Sequence, residues 1–408
     1  MNDLDLFDEG PAEAAEAAPR GRRGRGSRAE NAEANKRRRT VLLVGGLAAV
    51  VILGVGVWYG VKSLFGLTSY EDFEGAGESD VVVKVEPGTI SQTGQSLLDA
   101  GVVASVRAYT AAAAENDAAS AVQPGYYVLK TKMSGANAIA GLVRKNARVG
   151  EMEIRGGFQL DDVTVASGKT NLGIISLIAK ASCAELNGKN TCLTPEQVRT
   201  AMEKADLNDM GVPEWAQAEA ARTTEPRRRF EGLLMPGKYD VKPGESPENV
   251  LRALLATSSG RLQAAGLPKA AEKTGFSAYQ LLVMASLVEK EAVKEDFGKI
   301  AQVTRNRLAQ GMRLQYDSTV NYPLDRPNIR TNGSDRDKAG AYNTYAVQGL
   351  PPTPIASPSA LAISKAVTPE PSDYLYFVRC DKEGRSCFGK TLDEHKANVR
   401  EAEARGAY

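Results

Sequence analysis

The sequence predicts an α+β protein with a single N-terminal transmembrane helix, followed outside the membrane by a small module and then a larger α+β domain. Three observations carry this reading. Residues 41–61 are apolar and free of charge. Residues 81–144 read as strand, helix, helix, strand, helix. From Glu153 onward short strands and helices alternate, with no internal repeat and no nucleotide-binding glycine loop. The formal net charge of +1 averages a basic arm and a region of mixed sign, so it excludes no class of function.

Residues 1–40 hold acidic residues first, then alanines, then Arg20, Arg22, Arg23, Arg25 and Arg28 among glycines. Such a stretch cannot bury a core and predicts a disordered cytoplasmic tail, its basic part suited to anionic lipid. Nucleic acid is not an expected partner for an arm tethered beside a membrane helix. Residues 41–61, a run of about 21, are long enough to cross the hydrocarbon core. Lys36, Arg37, Arg38 and Arg39 precede the run, whereas Trp58 and Tyr59 stand near its far end with Lys62 just beyond. The positive-inside rule therefore leaves the N-terminus cytoplasmic and everything after Lys62 outside. The run exceeds a signal-peptide core and no small-x-small cleavage site precedes Trp58, which predicts an uncleaved anchor. Residues 62–80, with Gly66, Gly75 and Gly77 among acidic residues, form a stalk.

The module spans 81–150. It has strands at 81–85 and 126–129, the first ended by Pro87 and Gly88, and helices at 91–100, 104–114 and 136–144. Residues 151–408 form the larger domain. In it, residues 313–320 alternate as an extended strand would, with Arg313, Gln315 and Asp317 on one face and Leu314 and Tyr316 on the other. The Pro-rich loop 349–358 is predicted to follow an extended path beside the functional cleft, because X-Pro steps disfavour helix. All four cysteines follow the span, where disulfides are permitted. They make two local pairs: Cys183 with Cys192 around an Asn-Gly loop, and Cys380 with Cys387 as a staple across a hairpin. Neither pair has CxxC spacing, and the sole histidine, His395, cannot complete a zinc site.

The chemistry centres on Ala285-Ser-Leu-Val-Glu-Lys-Glu-Ala292. Leu281, Leu282, Val283, Met284, Ala285, Leu287 and Val288 make this helix apolar nearly all round, as in a buried segment. At about 100° per residue, Glu291 shares a stripe with Met284 and Val288, and Glu289 lies roughly 200° further round. The two cannot act as a facing pair. A carboxyl group at the edge of an apolar pocket has its pKa raised, which makes Glu291 a candidate acid. Periodicity alone equally allows Glu289, Lys290 and Glu291 to be the solvated end of a buried helix.

Further blocks follow in order: Arg307-Leu308, Gly311-Met-Arg-Leu-Gln-Tyr-Asp-Ser-Thr-Val320, Ala341-Tyr-Asn-Thr-Tyr345, Gly349-Leu-Pro-Pro-Thr-Pro-Ile355, Tyr374-Leu-Tyr-Phe-Val378, and Phe388 with His395 downstream. With the Glu-Lys-Glu motif, this set resembles the MltG (YceG-like) family of endolytic murein transglycosylases, from about residue 81 to the C-terminus and most strongly after Leu281. The resemblance implies that Glu291, the second Glu of the motif, is the catalytic acid. It implies an extracytoplasmic, membrane-anchored lytic transglycosylase that cuts the MurNAc-GlcNAc bond within nascent peptidoglycan strands, leaves 1,6-anhydro-MurNAc ends and terminates strand elongation. No cofactor or metal is expected. The implied partners are the glycan strands, the membrane, penicillin-binding proteins and glycan polymerases. Residues 81–150 would be a LysM-like module, and 231–239 a cleft wall against the Glu291 helix. Gln315, Asp317, Asn343 and Thr344 are the candidate sugar-cleft residues. Asn343 as a turn cap and the neighbouring tyrosines as core are the alternative for that segment, and Asp317, a second carboxylate or a strand partner for an Arg, is assigned no catalytic role.

Two departures are visible. Many relatives carry a His shortly before the position of Phe388, where this chain has Ser386, and Val163-Thr-Val-Ala-Ser-Gly168 replaces a more usual Ile-Pro-Glu-Gly. A muramidase-type hydrolase is the near alternative to the transglycosylase, and a non-catalytic wall-binding scaffold the distant one.

Overall fold

A computed structural model describes residues 70–165, 167–324 and 331–407. The expected tail and membrane span, and most of the stalk, lie outside the described residues. Among those described, no helix is long and apolar enough to cross a membrane.

Strand β1 (Asp80–Val85) pairs antiparallel with β2 (Gly125–Lys130), Asp80 opposite Lys130 and Val85 opposite Gly125. Between them run α1 (Ile90–Asp99) and α2 (Val106–Ala114), then α3 (Gly135–Val143) follows and β3 (Arg148–Val149) joins the free edge of β2. Side-chain oxygens start each helix: Thr89 forms a capping box with Gln92, and Ser105 and Ser134 cap the other two. Alternation buries Val83, Val85, Tyr127 and Leu129 against Leu97, Tyr109 and Ile139 in a core of their own.

The rest is built on a second core. Strand β4 (Glu151–Ile154) pairs antiparallel with the distant β9 (Gly237–Asp240). The chain between makes the hairpin β5 (Val163–Thr164) and β6 (Thr170–Asn171), helix α4 (Ile174–Ala181), a second hairpin β7 (Glu185–Leu186) and β8 (Lys189–Asn190), then α5 (Pro195–Lys204) and α6 (Glu214–Ala220). After β9 come α7 (Pro247–Ala264) and α8 (Ala278–Glu291). Helix α8 is the spine of the domain. Ser277 and Gln280 close its N-terminus with a capping box, and every residue from Leu281 to Val288 is buried. Each such Leu, Val or Met is worth roughly 1.5–3 kcal/mol relative to exposure, so packing and not propensity holds this helix. Around it lie α9 (Phe297–Ala309), the short α10 (Asp317–Asn321) and, after α11 (Gly333–Lys338), which packs on α10, the helix α12 (Ala360–Val367). The hairpin β10 (Tyr376–Arg379) and β11 (Ser386–Gly389), then α13 (Leu392–Ala404), close the chain.

The strand expected at 313–320 does not form. Burial alternates as anticipated, with Leu314 and Tyr316 inside and Arg313 and Gln315 exposed. The backbone groups, however, are taken by side chains and a loop instead of a ladder. Arg307 Nη1 donates to the carbonyls of Arg313 (3.1 Å) and Leu314 (2.6 Å), and the Tyr316 N–H donates to Thr344 Oγ1 at 2.9 Å. Gln315 adopts a left-handed backbone (φ 56°), and α10 begins at Asp317.

Candidate active site

Helix α8 stops at Glu291 because Ala292 turns to an extended conformation (φ −140°, ψ 164°). Its final turn borders two cavities. Glu291 lines one of about 740 Å³, together with Gln315, Asp317, Tyr345, Tyr376 and His395. Glu289 and Lys290 line the other, of about 780 Å³. The two cavities are of similar size.

Burial pushes the Glu291 carboxyl up, and the negative charge of Asp317 adds to this. The Ser318 hydroxyl and backbone N–H and the Lys290 ammonium pull it back, and the balance leaves it at about 7. The Ser318 hydroxyl is buried and makes no hydrogen bond of ordinary geometry among the described residues, so it acts on Glu291 as a nearby dipole. Asp317 is held rigidly at the N-terminus of α10. Its Oδ1 accepts from Thr331 Oγ1 (2.5 Å) and from the Tyr345 hydroxyl (2.9 Å). The Arg336 guanidinium lies 3.7 Å over the Tyr345 ring and donates to Thr331 Oγ1 at 3.3 Å, which braces both donors.

Gln315 reaches the same cleft from its left-handed position, a conformation that costs a non-glycine residue on the order of 1 kcal/mol and concentrates at functional sites. Its N–H donates to the Thr344 carbonyl at 3.0 Å, and Arg307 Nη1 reaches its side-chain oxygen at 3.4 Å. Asn343 and Thr344 are not brought into the cleft. Asn343 is buried and its Oδ1 accepts from the Tyr345 N–H, a turn cap. Thr344, also buried, spends its hydroxyl on Tyr316 and on Thr319 (2.8 Å). Both support the loops that present Gln315 and Tyr345.

The opposite wall is β10 with α13. Tyr376 stacks on His395, centroids 5.4 Å apart, and Arg307 sits 5.2 Å from the Tyr376 ring centre. Burial and the Arg307 charge lower the His395 pKa, so this imidazole is neutral at neutral pH. Cys380 and Cys387 are disulfide-bonded across the hairpin, and Cys183 is bonded to Cys192. Ser386 donates its N–H to Asp296 Oδ2 (2.7 Å). Sequence reasoning did not assign Arg307 and Tyr376 to the cleft or Ser318 to the side of Glu291, although all three stand inside the blocks that carry the resemblance.

Residues 231–239 do not wall this cleft. Leu233, Leu234 and Met235 are core, and β9 runs in the sheet with β4. Glu231 is 1% exposed; its Oε2 accepts from the Leu160 N–H (3.2 Å) and the Tyr322 hydroxyl (3.0 Å). Burial raises its carboxyl to about 7 as well, against these two hydrogen bonds. The Pro-rich loop also packs elsewhere: the Ile355 N–H donates to Ser286 on α8 (3.0 Å), and Gly349 to Pro352 line a separate pocket.

The sequence profile of the YceG-like family matches residues 83–401. The chain belongs to the YceG-like family. An endolytic murein transglycosylase of Bacillus subtilis (strain 168) is 37% identical to this YceG-like chain over 168 residues, 41% of the chain and 46% of that protein. Proteins of the same name from two Streptococcus pneumoniae strains, D39 and R6, are 26% identical over 375 residues, 88% of the chain. The match spans 64% of those relatives, so the chain covers about half to two thirds of the length of the curated relatives it resembles. A crystal structure of a YceG-like protein from Listeria monocytogenes superposes with a TM-score of 0.51 at 27% identity, covering 78% of this chain and 98% of the other.

Proposed function

We propose that this protein is a membrane-anchored endolytic transglycosylase that cleaves the MurNAc-GlcNAc bond within nascent peptidoglycan strands, with Glu291 as its acid and then its base. The observation that carries the reading is a carboxyl group of pKa about 7 at the wall of an open cleft. About half of such groups are protonated at neutral pH and able to donate to the leaving glycosidic oxygen. The substrate's own 2-acetamido group can stabilise the charge developing at C1. Glu291, now a carboxylate, takes the proton of the C6 hydroxyl as that oxygen attacks C1, which gives the 1,6-anhydro sugar without water. The internal hydroxyl outcompetes solvent through its effective concentration. Gln315, Asp317 and Tyr345 offer amide, carboxylate and hydroxyl groups to the sugars, and the stacked Tyr376–His395 pair offers a flat apolar face.

The same reading includes the parts of the chain outside the site. Residues 41–61 would anchor the enzyme where new strands emerge, beside glycan polymerases and penicillin-binding proteins. Residues 81–150, with their strand, two helices and strand, would be a LysM-like module that holds the glycan. A muramidase is the second reading, favoured by one observation: Asp317 shares the cleft with Glu291 and interacts with it electrostatically, as a water-activating partner would. The test is mass spectrometry of uncrosslinked glycan strands incubated with the detergent-solubilised full chain and its Glu291→Gln variant. Internal fragments ending in 1,6-anhydro-MurNAc, absent with the variant, are the expected result. Reducing ends would establish the hydrolase, and binding without cleavage would establish a scaffold.

A further inference from the structure

The cavity on the Glu289 and Lys290 side of α8 is preformed. Its wall at 156–159 is stitched to the loop before α12: the Gly157 N–H donates to the Ser357 carbonyl (2.9 Å), the Ser357 N–H to the Phe158 carbonyl (2.7 Å), and Gln159 Nε2 to the Ile355 carbonyl (3.1 Å). A Cβ at Gly156 would stand 2.1 Å from Glu289 Oε1, so a larger residue here would displace the Glu289 carboxylate from Ser359. The opposite rim is the β5–β6 hairpin, from the segment that departs from the usual family sequence.

The two cations and two carboxylates that line this cavity are not paired with one another. Both of its carboxylates are committed: Asp161 to Arg199 (3.2 Å) and Arg227 (3.1 Å), and Glu289 to the hydroxyl (2.6 Å) and N–H (2.9 Å) of Ser359. Lys290 makes no ion pair with any described residue, and its ammonium reaches only the Gly157 carbonyl, at 3.5 Å. Arg155 has only the exposed Glu153, at 3.3 Å. Beside these two cations lie Phe158, Leu177 and Leu172, the last 42% exposed. Uncommitted positive charge next to apolar surface suits a short peptide with a free carboxylate.

We propose that this cavity binds the peptide arm of the murein strand whose glycan lies at Glu291, a carboxylate of the peptide on Lys290 and Arg155 and its apolar groups on Phe158, Leu172 and Leu177. The inference rests on the transglycosylase reading. Lys290 and Glu291 are consecutive on one helix turn, so a branch leaving the sugar must pass roughly 10 Å, about one helix diameter, to reach it. The β5–β6 rim would then set which peptides are accepted.

The test compares cleavage of uncrosslinked strands that carry their peptides with the same strands stripped of them by an amidase, using the full chain and its Arg155→Glu and Leu172→Glu variants. These rim positions leave Lys290, whose charge acts on Glu291, untouched. The expected result is a kcat/KM about tenfold or more higher on peptide-bearing strands, consistent with one charge-assisted contact, with the difference abolished by the variants. Cleavage of stripped strands should stay within about twofold of the wild type. Equal rates on both substrates, or equal losses on both in the variants, would overturn the inference. A calorimetric titration of a free murein tetrapeptide into the Glu291→Gln chain separates this from the catalytic reading. Saturable binding lost in Leu172→Glu supports the site even where no strand is cleaved, and absence of binding overturns it even where strands are cleaved.

Discussion

Glu289 and Glu291 stand two residues apart at the end of α8 and serve different sides of it. Glu289 Oε2 receives the Ser359 hydroxyl and N–H and so fixes the start of α12, while Glu291 faces the cleft next to Ser318 and Asp317. Exchanging each for Gln should separate them. Glu291→Gln removes the transferable proton and should lower kcat by about 10²- to 10⁴-fold with an unchanged melting temperature. Glu289→Gln should keep kcat within a few-fold yet cost about 1–2 kcal/mol through weaker bonds to Ser359, read by denaturant titration.

The pH profile should report Glu291 directly. Only its protonated form donates, so kcat/KM should fall as pH rises through about 7. Asp317 contributes to the raised value through like charge, so Asp317→Asn should move this alkaline limb to lower pH. His395 titrates in the opposite sense for any role as a neutral group, and His395→Gln should leave the limb in place. A limb that follows His395 and ignores Asp317 would remove Glu291 from the acid role.

Stability should depend on pH through Glu231, away from the cleft. Its folded pKa, about 7, lies above the unfolded value near 4.5. Between these values the native state holds a proton that the unfolded chain has lost, so stability is full below about 4.5 and falls as pH rises toward 7 and beyond. The loss from this group is at most about 3 kcal/mol. Glu231→Gln, which keeps an acceptor for Leu160 and Tyr322, should flatten the decline between pH 5 and 8 in urea titrations. Glu291 adds a parallel slope, so the double variant should be the flattest.

What was legible in the sequence follows from how local each signal is. The module's strands and helices sit within two residues of their expected places, because Thr89, Ser105 and Ser134 cap in sequence and the strands alternate. The burial of α8 and the divergence of its two Glu residues followed from 3.6-residue periodicity. Residues 313–317 show the limit: burial alternation was right, yet the Arg307 side chain, from the end of the preceding helix, and Thr344, remote in sequence, take the backbone groups a neighbouring strand would have needed. The same remoteness hid the role of Thr344, whose hydroxyl turns inward toward Tyr316 and Thr319, whereas Asn343 takes the turn-cap role that the sequence had left open. Ser318 was invisible for a different reason. A serine beside an Asp carries no pattern until the fold brings it to the end of α8.

The Cys380–Cys387 bond should matter to the cleft in a way the Cys183–Cys192 bond does not. Strands β10 and β11 pair over four residues each, and a hairpin of that size is marginal by itself. Val378 lies opposite Cys387, so the bond closes the hairpin at the end that carries Val378 and Arg379, both of which line the Glu291 cleft. Removing it with Cys380→Ser and Cys387→Ser should cost about 2 kcal/mol, the loop-closure entropy of a ring this short. The loosened wall should raise KM several-fold while kcat on saturating glycan changes little, because Glu291, Ser318 and Asp317 come from α8 and α10. The pair at 183 and 192 ties a loop that lines none of the described cavities. Its double Ser variant should lose stability of similar size with KM unchanged, and a KM that moves equally in both variants would mean that the hairpin bond acts only through global stability.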